Sequence, residues 1–149
     1  MNPSILDLLR RGESFLLVGH RGPDGDSLGS LVGLYRLLKA LGRPATLLLE
    51  KRRPPEFDFL SDLDEAALLG QGPAPEAQIL VLVDCGRLSR TGGLETLLAG
   101  RAWPRILVVA HHPGEEGALP ARATLRLVHP TAAASAHPVL GLYTACNPQ

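Results

Sequence analysis

The sequence predicts an α/β fold with a mainly parallel sheet covered on both faces, on two observations. "SFLLVGH", "QILVLVDC" and "RILVVA" are compact, continuous apolar runs, the pattern of strands buried from above and below. These runs alternate with segments of helical apolar spacing, the order that builds a parallel sheet through right-handed crossovers. At 149 residues the chain has the length of one domain, and it carries no internal repeat, low-complexity tract or flexible linker.

The elements follow in chain order. Ile5, Leu8 and Leu9 recur at helical spacing after Ser4, an N-cap residue type, so the first dozen residues read as a short helix. "SFLLVGH" is the first strand. Leu28, Leu31, Val32, Tyr35, Leu38 and Leu41 then share one helical face, with Ser27 or Asp26 as N-cap and Gly42 just past the end. "ATLLLE" is a second strand. Residues 51–76 carry prolines at both ends and predict one or two short helical turns, and "QGPAP" is a turn. "QILVLVDC" and "RILVVA" are further strands joined through the short helical stretch "GGLETLLAG". "PTAAASAHPVLGLYTAC" reads as a final helix.

Composition narrows the function classes. Fifteen basic side chains balance 15 acidic ones, which argues against an extended nucleic-acid-binding surface or an acidic tail and leaves room for a local cluster of arginines around a phosphate. Cys85 and Cys146 are the two cysteines and neither has a CxxC partner, so neither a disulfide framework nor a zinc finger is expected. The N-terminal stretch lacks the apolar core of a secretion signal and no segment is long enough to span a bilayer, so the expected setting is the cytoplasm, without membrane contact.

The chemistry concentrates where strands end. In an open parallel sheet, ligands bind outside the carboxyl ends of the strands, where loops and helix N-termini converge. The first strand ends in His20, with Asp24 and Asp26 in the loop after it; the third ends in Asp84; the fourth runs into Ala110, His111 and His112. "PDGD" alone is a good turn, and an EF-hand is excluded because Leu28 stands at the loop's fifth position and no glutamate closes it. Together, these strand ends bring carboxylates and imidazoles to one edge. Carboxylates suit hard divalent cations, and manganese accepts such a mixed set. Asp24 and Asp26 diverge in an extended loop, which favours a pair of ions with a bridging carboxylate, the arrangement of a two-metal phosphoesterase.

These residues also carry a resemblance. "GHRGPDGDSLGSLVGL", "VLVDCG" and "VVAHHPG" are similar to the first three motifs of the DHH phosphoesterase superfamily, in particular its nano-RNase/oligoribonuclease and 3′-phosphoadenosine 5′-phosphate phosphatase branch, which includes exopolyphosphatase-related sequences. The resemblance implies a doubly wound sheet, two Mn2+ ions (Mg2+ as the other candidate) and hydrolysis of a phosphodiester or phosphomonoester. It implies that His20 and Asp24 hold one metal, Asp26 and His111 the other, and Asp84 bridges them as a metal ligand and catalytic group. His112 would face the substrate phosphate as a catalytic hydrogen-bond donor or acid. Gly29 and Ser30 would allow close backbone approach to substrate and helix packing. The partner implied is a short single-stranded oligonucleotide or phosphorylated nucleotide, with a homodimer as a further expectation.

The chain departs from that pattern in several places. Ala110 stands where the Asp-His-His motif has its aspartate; losing such a supporting residue commonly weakens metal affinity or activity roughly 10- to 100-fold. No aspartate follows Asp84, so the family's fourth-motif aspartate is missing, the smaller C-terminal substrate-binding domain is expected to be absent, and residues 1–149 are expected to form a single DHH-type domain incomplete at its C-terminal end. His129 stands before "PTAAA" where relatives often carry aspartate. Alternative functions are a non-catalytic nucleotide- or metal-binding module, a structural fragment without a ligand, or an inorganic pyrophosphatase or exopolyphosphatase.

Overall fold

The computed structural model describes residues 1–113, 119–120 and 123–146. Of the sequence motifs, only Gly114 of "HHPG" and the last residues, 147–149, fall outside that range. The described residues contribute six strands: β1 (Phe15–Val18), β2 (Ala45–Leu49), β3 (Ala67–Leu68), β4 (Ile79–Val83), β5 (Arg105–Ala110) and β6 (Thr124–Val128). They form one sheet in the order β3-β2-β1-β4-β5-β6, with every neighbouring pair parallel. Four α-helices accompany them among the described residues: α1 (Pro3–Arg11), α2 (Gly25–Ala40), α3 (Glu95–Ala99) and α4 (Ala136–Cys146).

The continuous apolar runs are explained by burial on both faces. Alternate strand residues such as Phe15, Leu17, Val81 and Leu107 join Ile5 and Leu9 of α1, the apolar face of α2, and Val139 and Leu142 of α4 in one core. Leu16, Val18, Leu80, Leu82 and Val108 point the other way and pack with Leu94, Leu98 and Trp103. The expected doubly wound architecture is therefore present.

Helix starts differ from the expected ones by a few residues. Asn2, not Ser4, caps α1: its side chain accepts from the Ser4 N–H at 2.9 Å, and Pro3 fills the first helical position, where a missing N–H costs nothing. Asp24, rather than Ser27 or Asp26, caps α2 by accepting from the Ser27 N–H at 2.8 Å. Gly25, a poor helix former, hides this earlier start in the sequence. The "GGLETLLAG" stretch is helical only over Glu95–Ala99, and Leu88–Leu94 before it is a 3-10 segment interrupted at Gly92. The final helix begins at Ala136, after the small-residue run. Strands β3 and β6 were not expected; both lie at the sheet edges, and β6 is mostly half-buried.

The strand order fixes the site. From β1 the chain winds outward through β2 to β3, then returns to β4 on the other side of β1 and winds away through β5 to β6. The reversal lies between β1 and β4, and the crevice outside their carboxyl ends is where doubly wound folds bind ligands.

Candidate metal centre

His20 follows β1 and Asp84 follows β4, so the two residues face each other across the reversal. Gly19 makes the approach feasible: a Cβ there would lie 2.7 Å from Ser27 Oγ and 3.1 Å from Leu31 Cδ1, so the backbone of β1 and the start of α2 can close up only on glycine. The His20 ring lies with Nδ1 2.8 Å from the Arg21 carbonyl. A carbonyl only accepts, so Nδ1–H donates to it, while Nε2 faces Asp84 Oδ2 at 3.0 Å and Asp24 Oδ1 at 3.9 Å and donates to Asp84 when the ring is protonated. The hydrogen bond to Asp84 raises the His20 pKa above its ordinary 6.5, outweighing burial.

Asp84 is the centre of the constellation. It is 2% exposed, and it is the described non-glycine residue held at positive φ, 61°. That conformation is costly for a side-chain-bearing residue and persists where the surroundings enforce it. They do so here: the Asp84 N–H donates to the Val109 carbonyl at 2.8 Å, and its side chain is held at both oxygens. Oδ2 faces His20. Oδ1 accepts from Ser135 Oγ at 2.6 Å and lies 3.6 Å from His111 Nε2 and 3.8 Å from His112 Nε2. Burial pushes the carboxyl pKa up, but the bonds from His20 and Ser135 outweigh it and hold the group below the usual range.

On the far side, His111 points Nδ1 at the Ala132 carbonyl, 3.2 Å away, and Nε2 at Asp26 Oδ2, 3.6 Å away. Asp26 is also committed to the start of α4: Oδ2 accepts from the Ser135 N–H at 2.8 Å and Oδ1 from the Ala136 N–H at 3.0 Å. An anionic side chain at a helix N-terminus is favourable there. His112 is half exposed, its ring packed on that of His111 with centroids 4.0 Å apart.

Two sets of donors could each hold a divalent ion: His20, Asp24 and Asp84, and Asp84, His111 and His112, with the ligand atoms of each set lying within 4.8 Å of one another. Carboxylate oxygens mixed with imidazole nitrogens fit hard or borderline divalent cations. Asp26 reaches His111 but is not part of a three-donor set. His112, expected on the substrate, stands in the second one. Ser30 is buried and donates to Asp26 Oδ1 at 3.3 Å, so it steadies that carboxylate. Gly29 has open space where a Cβ would be, so helix packing does not require glycine there; the close helix contact is at Gly33, whose Cβ would lie 3.2 Å from Val139 Cγ1.

Ser135 was missed by sequence reasoning. Its signal was an N-cap residue type immediately before the last helix, but its contact with Asp84 spans 51 positions and no local pattern encodes it.

Residues 14–147 match the N-terminal domain of the DHH family. The chain belongs to the DHH family. A relative, the bifunctional oligoribonuclease and PAP phosphatase NrnA of Thermus thermophilus, is 33% identical over 123 residues, which are 83% of this chain and 34% of the relative. The DHH-family chain therefore spans about a third of that relative's length. Among solved structures, an exopolyphosphatase-related protein from Bacteroides fragilis superposes with a TM-score of 0.83 at 19% identity, over 96% of this chain and 42% of its own. That likeness shows the fold. No described helix is long and apolar enough to cross a membrane.

Proposed function

We propose that this DHH domain is a phosphoesterase that holds two divalent ions, Mn2+ in preference to Mg2+, and hydrolyses short oligoribonucleotides or the 3′-phosphate of 3′-phosphoadenosine 5′-phosphate. The observation that carries the reading is the posture of Asp84, a buried carboxylate at positive φ whose two oxygens face two different groups of histidine and aspartate side chains. His20 and Asp24 would hold one ion and His111 the other, with Asp84 shared; Asp26, 3.6 Å from His111, and His112, in the same donor set as His111, are the two candidates for the remaining ligand of the second ion. A pair of such ions supplies an activated water at neutral pH and neutralises charge on the phosphate oxygens.

The chain's own residues set the stage for that chemistry. The Arg21 and Ala132 carbonyls fix the two imidazoles with Nε2 facing the carboxylates. Ser135 holds Asp84, and the N-terminus of α4 holds Asp26. Where Asp26 takes the remaining ligand position, His112, half exposed at the rim, would donate its ring N–H to a substrate phosphate oxygen. The bifunctional name of the Thermus relative supports the choice of substrates. Cys85 and Cys146 are buried and form no disulfide among the described residues, which suits a reducing compartment.

One observation favours the non-catalytic alternative: Ala110 is buried in the apolar core, where the family motif carries an aspartate. The Ala132 carbonyl behind His111 compensates for it, because it orients the ring as a carboxylate would. Incubating the purified chain with a 5′-labelled diribonucleotide separates the two readings. Release of mononucleotide with manganese, abolished by chelator and reduced more than about 100-fold in Asp84→Asn, is expected of the enzyme. Asparagine tolerates positive φ, so this variant keeps the backbone. Folded chain that binds manganese and releases nothing would establish the binding module instead.

A further inference from the structure

A cavity of about 380 Å³ opens beside His20, on the β2 side of the metal centre, walled by Leu48 and Leu94 and lined by Glu50. Its size falls in the range of roughly 300–1,000 Å³ typical of small-molecule sites. The sheet register explains its position. Phe15, Leu16 and Leu17 pair with Ala45, Thr46 and Leu47, so the residues that follow the two strands, His20 after β1 and Glu50 after β2, emerge at the same edge of the sheet and both line the cavity.

Glu50 is held in place by the segment before α3. Its Oε1 accepts from the Gly93 N–H at 3.1 Å. A Cβ on Gly92 would lie 2.7 Å from Oε2, a Cβ on Gly93 would lie 2.8 Å from Oε1, and Gly92 has φ +63°. Only glycine lets the backbone cup the carboxylate this closely. The result is a fixed acceptor on the wall of a cavity of mixed apolar and charged lining, directly after the second strand of a β-α-β unit. In doubly wound nucleotide-binding folds an acidic residue after the crossover helix accepts hydrogen bonds from ribose hydroxyls. Lys51 and Arg52, exposed where they line the cavity, add positive charge beside it.

We propose that this cavity receives the nucleoside adjoining the scissile phosphate, with Glu50 accepting hydrogen bonds from its ribose hydroxyls and the leucine walls covering its base. Glu50 is thus a specificity residue that selects ribonucleotides over deoxyribonucleotides. The inference rests on the phosphoesterase reading for what the phosphate does, but the binding is separable from turnover.

The test is methyl-labelled NMR of the purified chain titrated with adenosine 3′-monophosphate and its 2′-deoxy analogue. The expected result is shifts at the Leu48 and Leu94 methyls, affinity for the ribonucleotide at least fivefold tighter than for the deoxy form, and a ratio near one in Glu50→Gln. That variant retains Oε1 as acceptor for the Gly93 N–H, so the fold is preserved. No shift at these leucines at millimolar nucleotide, or an unchanged ratio in Glu50→Gln, would overturn the inference. If the diribonucleotide is not hydrolysed but the Glu50-dependent ratio is seen, the cavity assignment stands and the enzyme reading falls. If hydrolysis is seen and the ratio does not respond to Glu50, the reverse holds.

Discussion

Replacing Ser135 by alanine removes one hydroxyl from the centre of the site and leaves the rest of its framework intact. Ser135 is fully buried, and its Oγ donates to Asp84 Oδ1 at 2.6 Å, while its backbone N–H, which donates to Asp26, is untouched by the change. A hydrogen bond to a charged group contributes about 1.5–3 kcal/mol, and here its loss strands an oxygen of a carboxylate with almost no access to water. For a domain of this size, each kcal/mol moves Tm by about 2–4 °C, so Ser135→Ala should melt about 3–12 °C lower in the metal-free form. Manganese affinity should fall about 10- to 100-fold, as it does when a residue supporting a metal ligand is lost. Calorimetric melting and a manganese titration measure both. A change below about 0.5 kcal/mol with unaltered manganese affinity would refute the claim that Ser135 positions Asp84.

Three further predictions concern the same centre. His20 must give up its Nε2 proton to bind a metal, and its pKa is raised above 6.5, so manganese affinity should fall about tenfold per pH unit below that raised value and level off above it, as read by titrations across pH. In the metal-free chain the sign is opposite for stability: the pair with Asp84 contributes fully below pH 6.5 and is lost as pH rises through the raised His20 value, which pH-dependent urea unfolding detects. Asp26→Ala deprives the Ser135 and Ala136 N–H groups of their acceptor at the start of α4 and should cost about 1–2 kcal/mol in urea unfolding, with Asp26→Asn recovering part of it.

Much of this architecture is legible in the sequence because buried parallel strands leave little choice of residue. "FLLV", "ILVLV" and "ILVVA" are apolar at every position, and each is followed within two residues by a residue of the candidate site. The edge strands are not legible in this way. β3 has two residues, and β6 interleaves Thr124 and Arg126 with its apolar positions because one side of it is half open to solvent. The site divides similarly. His20, Asp84 and His111 could be found because strand ends announce them. The Ser135 contact and the Glu50 cradle could not, because each depends on which loops the topology brings together, over 51 and 43 positions respectively. Ala110 stands where the family pattern carries a supporting aspartate, and the Ala132 carbonyl that lies 3.2 Å from His111 Nδ1 arrives from the loop after the unforeseen β6, so no local pattern pointed to it.

The central claim, that Asp84 serves two ions at once, is tested most directly by counting manganese on the purified chain by calorimetric titration, with Asp84→Asn beside it. Two ions per chain in the wild type, with both sites weakened by that one substitution, is the predicted result. A single ion, or a variant that keeps one of the two sites at wild-type affinity, would contradict it.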